Sequence, residues 1–109
     1  MKLKDIAENL KLEAIGGFDE NREVDGAYIG DLLSVVMANG KENNIWITIQ
    51  THINIIAVAV LVNMSGIIIA EDMEIDKNTV EKAKEEKVAL FKSKLTSYEI
   101  ACQLNNLGI

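Results

Sequence analysis

The side chains that could do chemistry in this sequence fall into a few short groups. Gln50-Thr51-His52 follows one apolar run, Glu71-Asp72 another and Lys92-Ser93-Lys94 a third, while Asp25-Gly26 and Asp31 stand in and after a further strand-like stretch. If these runs are strands of a parallel sheet, groups placed beside them gather along one edge, where open α/β sheets bind ligands. Helices starting near Thr51 and Thr96 would aim free N–H groups at that edge, a setting for a phosphate or carboxylate. The chemistry this favours is capture of a small anionic metabolite or nucleotide by Asp25, Gly26, Asp31, Gln50, Thr51, His52 and Thr96. Several of these residues also have a plainer reading. Thr51 and Thr96 make good helix caps, Asp31 stands at N-cap-to-N3 spacing from Ser34, and Gly26 inside a strand marks a bulge or a close backbone approach.

Catalysis has weaker support. His52 is the only histidine, so no second imidazole can join it at a metal, and no cysteine lies close in sequence. A minimal enzyme acting on a phosphorylated small molecule would need His52 and Asp25 as acid/base groups and Lys92 or Lys94 on the phosphate. The sequence has no paired nucleophile and base to go with them, and His52 reads first as a helix-start residue bonded to backbone. Glu71, Asp72, Glu74 and Asp76 lack the spacing of a calcium loop and read as a solvated loop. The expectation is therefore no catalytic residue, no metal and no cofactor.

The elements that must position these groups can be read from periodicity. Leu3, Ile6, Ala7 and Leu10 recur at helical spacing; Leu12 to Ile15 is a short strand, Asp19 to Arg22 a turn, and Val24 to Ile29 a strand. Asp31 caps a helix over Leu32 to Met37, stopped at Asn39-Gly40. Ile45, Ile47 and Ile49 alternate with Trp46 and Thr48, the pattern of a strand with Trp46 on its opposite, packed face. Ile53 to Val62 is read as a helix because Thr51 can cap it, its length exceeds a typical strand, and a parallel neighbour requires a crossover. Ile67 to Ile69 suits a strand buried on both faces. Asn78 to Glu81 has capping-box spacing and opens a solvated helix lying outside the core; Val88 to Phe91 is a strand. Thr96 to Glu99 is a second capping box, leading into a final amphipathic helix that carries Cys102 as a small buried hydrophobe. Alternation of strands and helices predicts an α/β fold in three layers, with a mostly parallel sheet and helices on both faces.

Composition sets the outer bounds. The chain has 109 residues and a mass of 12.0 kDa, 49% apolar and 26% charged, with a mean hydropathy of +0.11, which predicts one domain over residues 1–109 with ample material for a core. Eleven Lys plus Arg against seventeen Asp plus Glu give a net charge of −6, the wrong sign for phosphate neutralisation, so nucleic acid is not the expected partner. A lone cysteine and the absence of an apolar leader after Met1 predict a cytoplasmic protein. The run Ile53 to Val62 covers only about half a bilayer as a helix, so no membrane span is expected. A helix apolar on nearly every side must be covered all round, which predicts a homodimer built on it or on the second strand region.

Two segments carry a resemblance. Arg22 to Ser34, with Asp31-Leu32-Leu33-Ser34, and Trp46 to Asn54, with Gln50-Thr51-His52, resemble the DRTGG domain family, and the likeness extends over nearly the whole chain. The name-giving five residues fall on Glu23 to Ala27, of which Gly26 matches literally. The resemblance implies a regulatory or ligand-sensing module, found alone or joined to CBS domains and to metabolic enzymes such as phosphate acetyltransferases. It also implies a fold similar to the N-terminal, non-catalytic domain of HPr kinase. Kinase activity does not follow, because the chain contains no GxxxxGK[ST] phosphate cradle. Together these readings give a regulatory module that binds a small anionic ligand or serves a partner metabolic enzyme; the rivals are the minimal enzyme and a pure interaction subunit.

Overall fold

A computed structural model describes all 109 residues. Five helices and five strands alternate along the chain: α1 Leu3–Asn9, β1 Glu13–Ala14, β2 Gly26–Ile29, α2 Leu33–Asn39, β3 Asn44–Thr48, α3 Asn54–Val62, β4 Gly66–Ile69, α4 Lys77–Glu86, β5 Leu90–Lys92 and α5 Ser97–Asn106. The strands form one sheet in the order β1-β5-β4-β3-β2. β2 to β5 are parallel neighbours in chain order, and only β1, at the edge, runs antiparallel, pairing Glu13 with Lys92 and Ala14 with Phe91.

This order explains the layers. α2, α3 and α4 each connect adjacent parallel strands, always stepping the same way along the sheet, and crossovers of one hand put all three on the same face. That face holds Val36 of α2, Ile55, Ile56, Val58 and Ala59 of α3 and Ala83 of α4 against Trp46, Ile67, Ile69 and Leu90. α1 and α5 are not crossovers and cover the other face, packing Leu3, Ile6, Ile100 and Leu104 on Ile45, Ile47, Ile68 and Phe91. The expected three-layer α/β fold is the fold found. β3 and β4 are buried at every position, as the alternating and continuous apolar runs require of central strands. Trp46 is fully buried, and its indole N–H donates to the Gly30 carbonyl at 2.8 Å.

Several local expectations are corrected. Asp31 does not cap α2: the N-cap is Leu32, without a side-chain bond. Thr51 does not cap α3 either; the N-cap is Ile53, and the Asn54 N–H donates instead to Nδ1 of His52 at 3.3 Å. The Asn78–Glu81 box does not form, because α4 begins at Lys77 behind Asp76 and Thr79 lies inside the protein. Thr79 is fully buried and its hydroxyl donates to the Thr51 carbonyl at 2.7 Å, so α4 is a packed helix clamped to the start of α3. Cys102 is exposed rather than buried, on the outer side of α5. The Thr96–Glu99 box is formed as expected, with both reciprocal bonds at 3.1 Å. Within one chain α3 keeps an outward apolar face, with Leu61 68% and Val60 47% exposed.

Candidate functional site

The parallel strands end at Ile29, Thr48, Ile69 and Lys92, so the segments after them meet at one end of the sheet. Asp31, Gln50, Thr51, His52 and Thr96 are at this end. Asp25 and Gly26 are not: Gly26 opens β2 and pairs with Asn44 at the start of β3, on the opposite end. The expectation that all seven share an edge is corrected, and the His52–Asp25 pair of the enzyme reading is separated by the length of the sheet.

Much of the polarity after β2 and β3 is turned inward. Oδ1 of Asp31 accepts from the Thr48 hydroxyl at 2.9 Å and from the Ile49 N–H at 3.0 Å. The Gln50 N–H donates to the same Thr48 hydroxyl at 3.1 Å, and the Gln50 amide donates to the Asp31 carbonyl at 3.1 Å. Thr48 is fully buried, so this latch satisfies a hydroxyl that could not otherwise be taken from water. Asp31 thus fixes how the chain leaves β3. Thr96 is spent on its capping box, whose Glu99 carboxylate also occupies the N-terminus of α5 and removes it as an anion seat.

The concave part of this end lies after β5. A groove of about 520 Å³ is lined by the end of α1 (Asn9, Leu10, Lys11), by Glu13 and Asp72, by Lys92 to Leu95 and by Gln103 of α5. Its wall at β4 is a tight turn with two successive left-handed residues, Glu71 (φ 65°) and Asp72 (φ 53°). The Met73 N–H donates back to the Ala70 carbonyl at 3.4 Å, as in a primed turn, and Glu71 and Asp72 N–H groups donate to the carbonyls of Leu95 and Ser93 at 2.9 and 2.8 Å. Asp72 pairs with Lys92, Oδ1 to Nζ 3.5 Å.

Of the groove's other charged groups, Lys11 and Lys94 are cations and Glu13 is a carboxylate with no ion-pair partner. Lys11 and Lys94 have no carboxylate within ion-pair distance. The Ser93 oxygen accepts from the Leu95 N–H at 3.1 Å, and its own hydrogen has no acceptor in the protein. Three lysines therefore face two acids, one of them already paired, in a chain that is otherwise strongly acidic. Such a surface holds a small anion by charge and hydrogen bonds. Lys92, Ser93 and Lys94 were legible as strand-end residues; Lys11 and Gln103 were not, because only the antiparallel return of β1 and the docking of α5 bring them here. No three His, Cys, Asp or Glu side chains cluster where they could hold a metal.

Two pKa values are displaced, both away from the groove. Hydrogen bonding to Glu86, together with the charges of Glu85 and Glu86, raises the Lys82 ammonium. Hydrogen bonding to Cys102 and the charge of its thiolate raise the Tyr98 phenol. No helix is long and apolar enough to cross a membrane.

The sequence matches the DRTGG domain over residues 5–107, and the chain belongs to that family. Its fold is similar to a crystal structure of the CBS and DRTGG domains of the regulatory region of Clostridium perfringens pyrophosphatase, complexed with the activator diadenosine tetraphosphate. The TM-score is 0.72 with 16% sequence identity, covering 94% of this chain and 45% of that one, so the chain spans less than half of that regulatory region. No curated protein matches the sequence.

Proposed function

We propose that this DRTGG-family chain is a one-domain cytoplasmic regulatory module without catalysis of its own, and that it takes a small anionic ligand in the groove at the end of β5. The ligand class is a nucleotide or phosphorylated metabolite. The observation that carries the reading is the convergence of Lys11, Lys94 and the unaccepted Ser93 hydroxyl on one concavity of a protein with net charge −6. The clostridial regulatory region complexed with a dinucleoside polyphosphate supports the same ligand class. Opposed placement of His52 and Asp25 takes away the acid/base pair on which the rival enzyme depends.

The test is thermal denaturation with adenine nucleotides, diadenosine tetraphosphate, acetyl phosphate and pyrophosphate. A ligand present at ~100 times its Kd raises the midpoint by about 12 °C in a domain of this size. Lys11→Glu and Lys94→Glu should each abolish the shift, while Lys41→Glu, at the other end, should keep it. Failure of every compound to shift the midpoint, or shifts that survive both reversals, overturns the reading.

The outer face of α3 favours a second element, self-association. Ala57, Val60 and Leu61 line a shallow depression of about 310 Å³ whose edge carries the internally paired Lys82 and Glu86, 3.3 Å apart, so its centre is apolar and unspent. Sedimentation should give a dimer that Leu61→Asp dissociates. A monomer leaves this face to a metabolic-enzyme partner.

A further inference from the structure

The opposite end of the sheet carries a group that nothing in the fold employs. Asn44, the first residue of β3, is only 8% exposed. Its Oδ1 accepts the Lys41 backbone N–H at 3.1 Å. A backbone N–H can only donate, so the amide is fixed with oxygen toward Lys41 and Nδ2 toward Gly26, its neighbour on β2. A Cβ at Gly26 would lie 2.8 Å from Nδ2. The missing side chain leaves room for that nitrogen.

Nδ2 has no acceptor in the protein, and no fully enclosed side-chain polar atom lacks a partner. Nδ2 therefore keeps contact with solvent, and Asn44 borders an adjoining depression of about 470 Å³ lined also by Asp25, Gly26, Tyr28, Lys41 and Glu42. Glu42 accepts from the neutral Asn63 amide at 3.1 Å, but no cation pairs with its charge. The Lys41 ammonium has no carboxylate partner, and the Asp25 carboxylate has neither a cation nor a hydrogen bond. What is on offer is the unpartnered Nδ2 of Asn44 and one cation, beside the free Asp25 carboxylate and the Glu42 carboxylate, whose charge no cation offsets. A simple anion would meet Asp25, and a simple cation would meet Lys41. A ligand that carries both charges satisfies Asn44, Lys41 and Asp25 at once.

We infer that this depression is a second ligand site, for a small zwitterion of the α-amino acid class. The ligand's carboxylate accepts from Asn44 Nδ2 and Lys41, and its ammonium meets Asp25. The site is independent of the anion groove, from which it is separated by the length of the sheet, and either can fail without the other.

The experiment is an NMR titration of the isotope-labelled chain with each proteinogenic L-amino acid, and with the decarboxylated amine and deaminated acid of any that binds. At least one amino acid should move the signals of Asp25 to Ala27, of Lys41 and of the Asn44 side-chain amide, with amine and acid about tenfold weaker or worse. Asn44→Asp keeps the oxygen that Lys41 N–H needs and replaces both donors, so binding should fall by about tenfold or more. Asp25→Asn, on an exposed side chain, should weaken it comparably even where Asn44→Asp does not fold, while Lys94→Glu should leave it unchanged. The inference is overturned if no amino acid moves these signals, if the bare acid binds as well as the amino acid, or if Asp25→Asn binds like the parent.

Discussion

Thr48→Val tests the latch that shapes the strand-end edge. The two side chains are nearly isosteric, so the change deletes the hydroxyl and little else at a position with no solvent exposure. Two bonds go with it, the 2.9 Å donation to the Asp31 carboxylate and the 3.1 Å acceptance from the Gln50 N–H. Hydrogen bonds to a charged group contribute about 1.5–3 kcal/mol, and the lower part of that range applies because Asp31 is exposed and keeps its bond from the Ile49 N–H. A loss of about 1.5–2 kcal/mol is expected. With an unfolding entropy of about 2.1 cal/mol/K per residue, the melting midpoint falls by roughly 6–9 °C. Urea denaturation should show the same loss at an unchanged slope, which would place the effect in the native state. A double-mutant cycle with Asp31→Ala should return a coupling of about 1 kcal/mol. A Thr48→Val midpoint within about 2 °C of the parent, or a coupling below about 0.3 kcal/mol, would refute the assignment of Asp31 as the clamp on β3.

Three further predictions concern other positions. Glu71→Gly should raise stability by about 0.5–1 kcal/mol, because a left-handed residue with a Cβ costs roughly 1–2 kcal/mol and glycine returns part of that as chain entropy; a lower melting midpoint would show that the Glu71 side chain itself stabilises the turn. Gly40→Ala should cost about 1–3 kcal/mol, since its Cβ would stand 2.8 Å from the Val36 carbonyl oxygen and 2.5 Å from Cε of Met64, and only the methionine end can swing away; urea unfolding measures it. Cys102→Ala should move the Tyr98 phenol back down toward its ordinary range, since the thiol's hydrogen bond and the thiolate's charge are what hold it up. Spectrophotometric titration of phenolate absorbance, with Tyr98→Phe to isolate the signal, reads this directly.

Three capping signals show how far sequence pattern reaches. The Thr96–Glu99 capping box was legible because its partners are three residues apart and the helix backbone itself brings them together. The same spacing at Asn78–Glu81 misled because Thr79 is drawn inward to the Thr51 carbonyl, a partner far away in the chain. Asp31 misled in the same way: local chemistry offers it a helix N-terminus, and the parallel pairing of β2 with β3 offers it the Thr48 hydroxyl and the Ile49 N–H instead.

By itself, the sequence determined the α/β alternation, the buried central strands, the packed Trp46 and the polar residues that follow each parallel strand. Those features depend on periodicity and on contacts within a turn or a strand, where the distance between residues is fixed by the backbone. The tertiary structure alone decided that β1 returns antiparallel and carries Lys11 to the β5 groove, that Asp25 and Gly26 stand at the far end from His52, and that Nδ2 of Asn44 is left without an acceptor beside Gly26. Each is a meeting of segments far apart in the chain, and the order of strands in a sheet is set by which apolar faces can be buried together, a property of the whole chain that no local window contains.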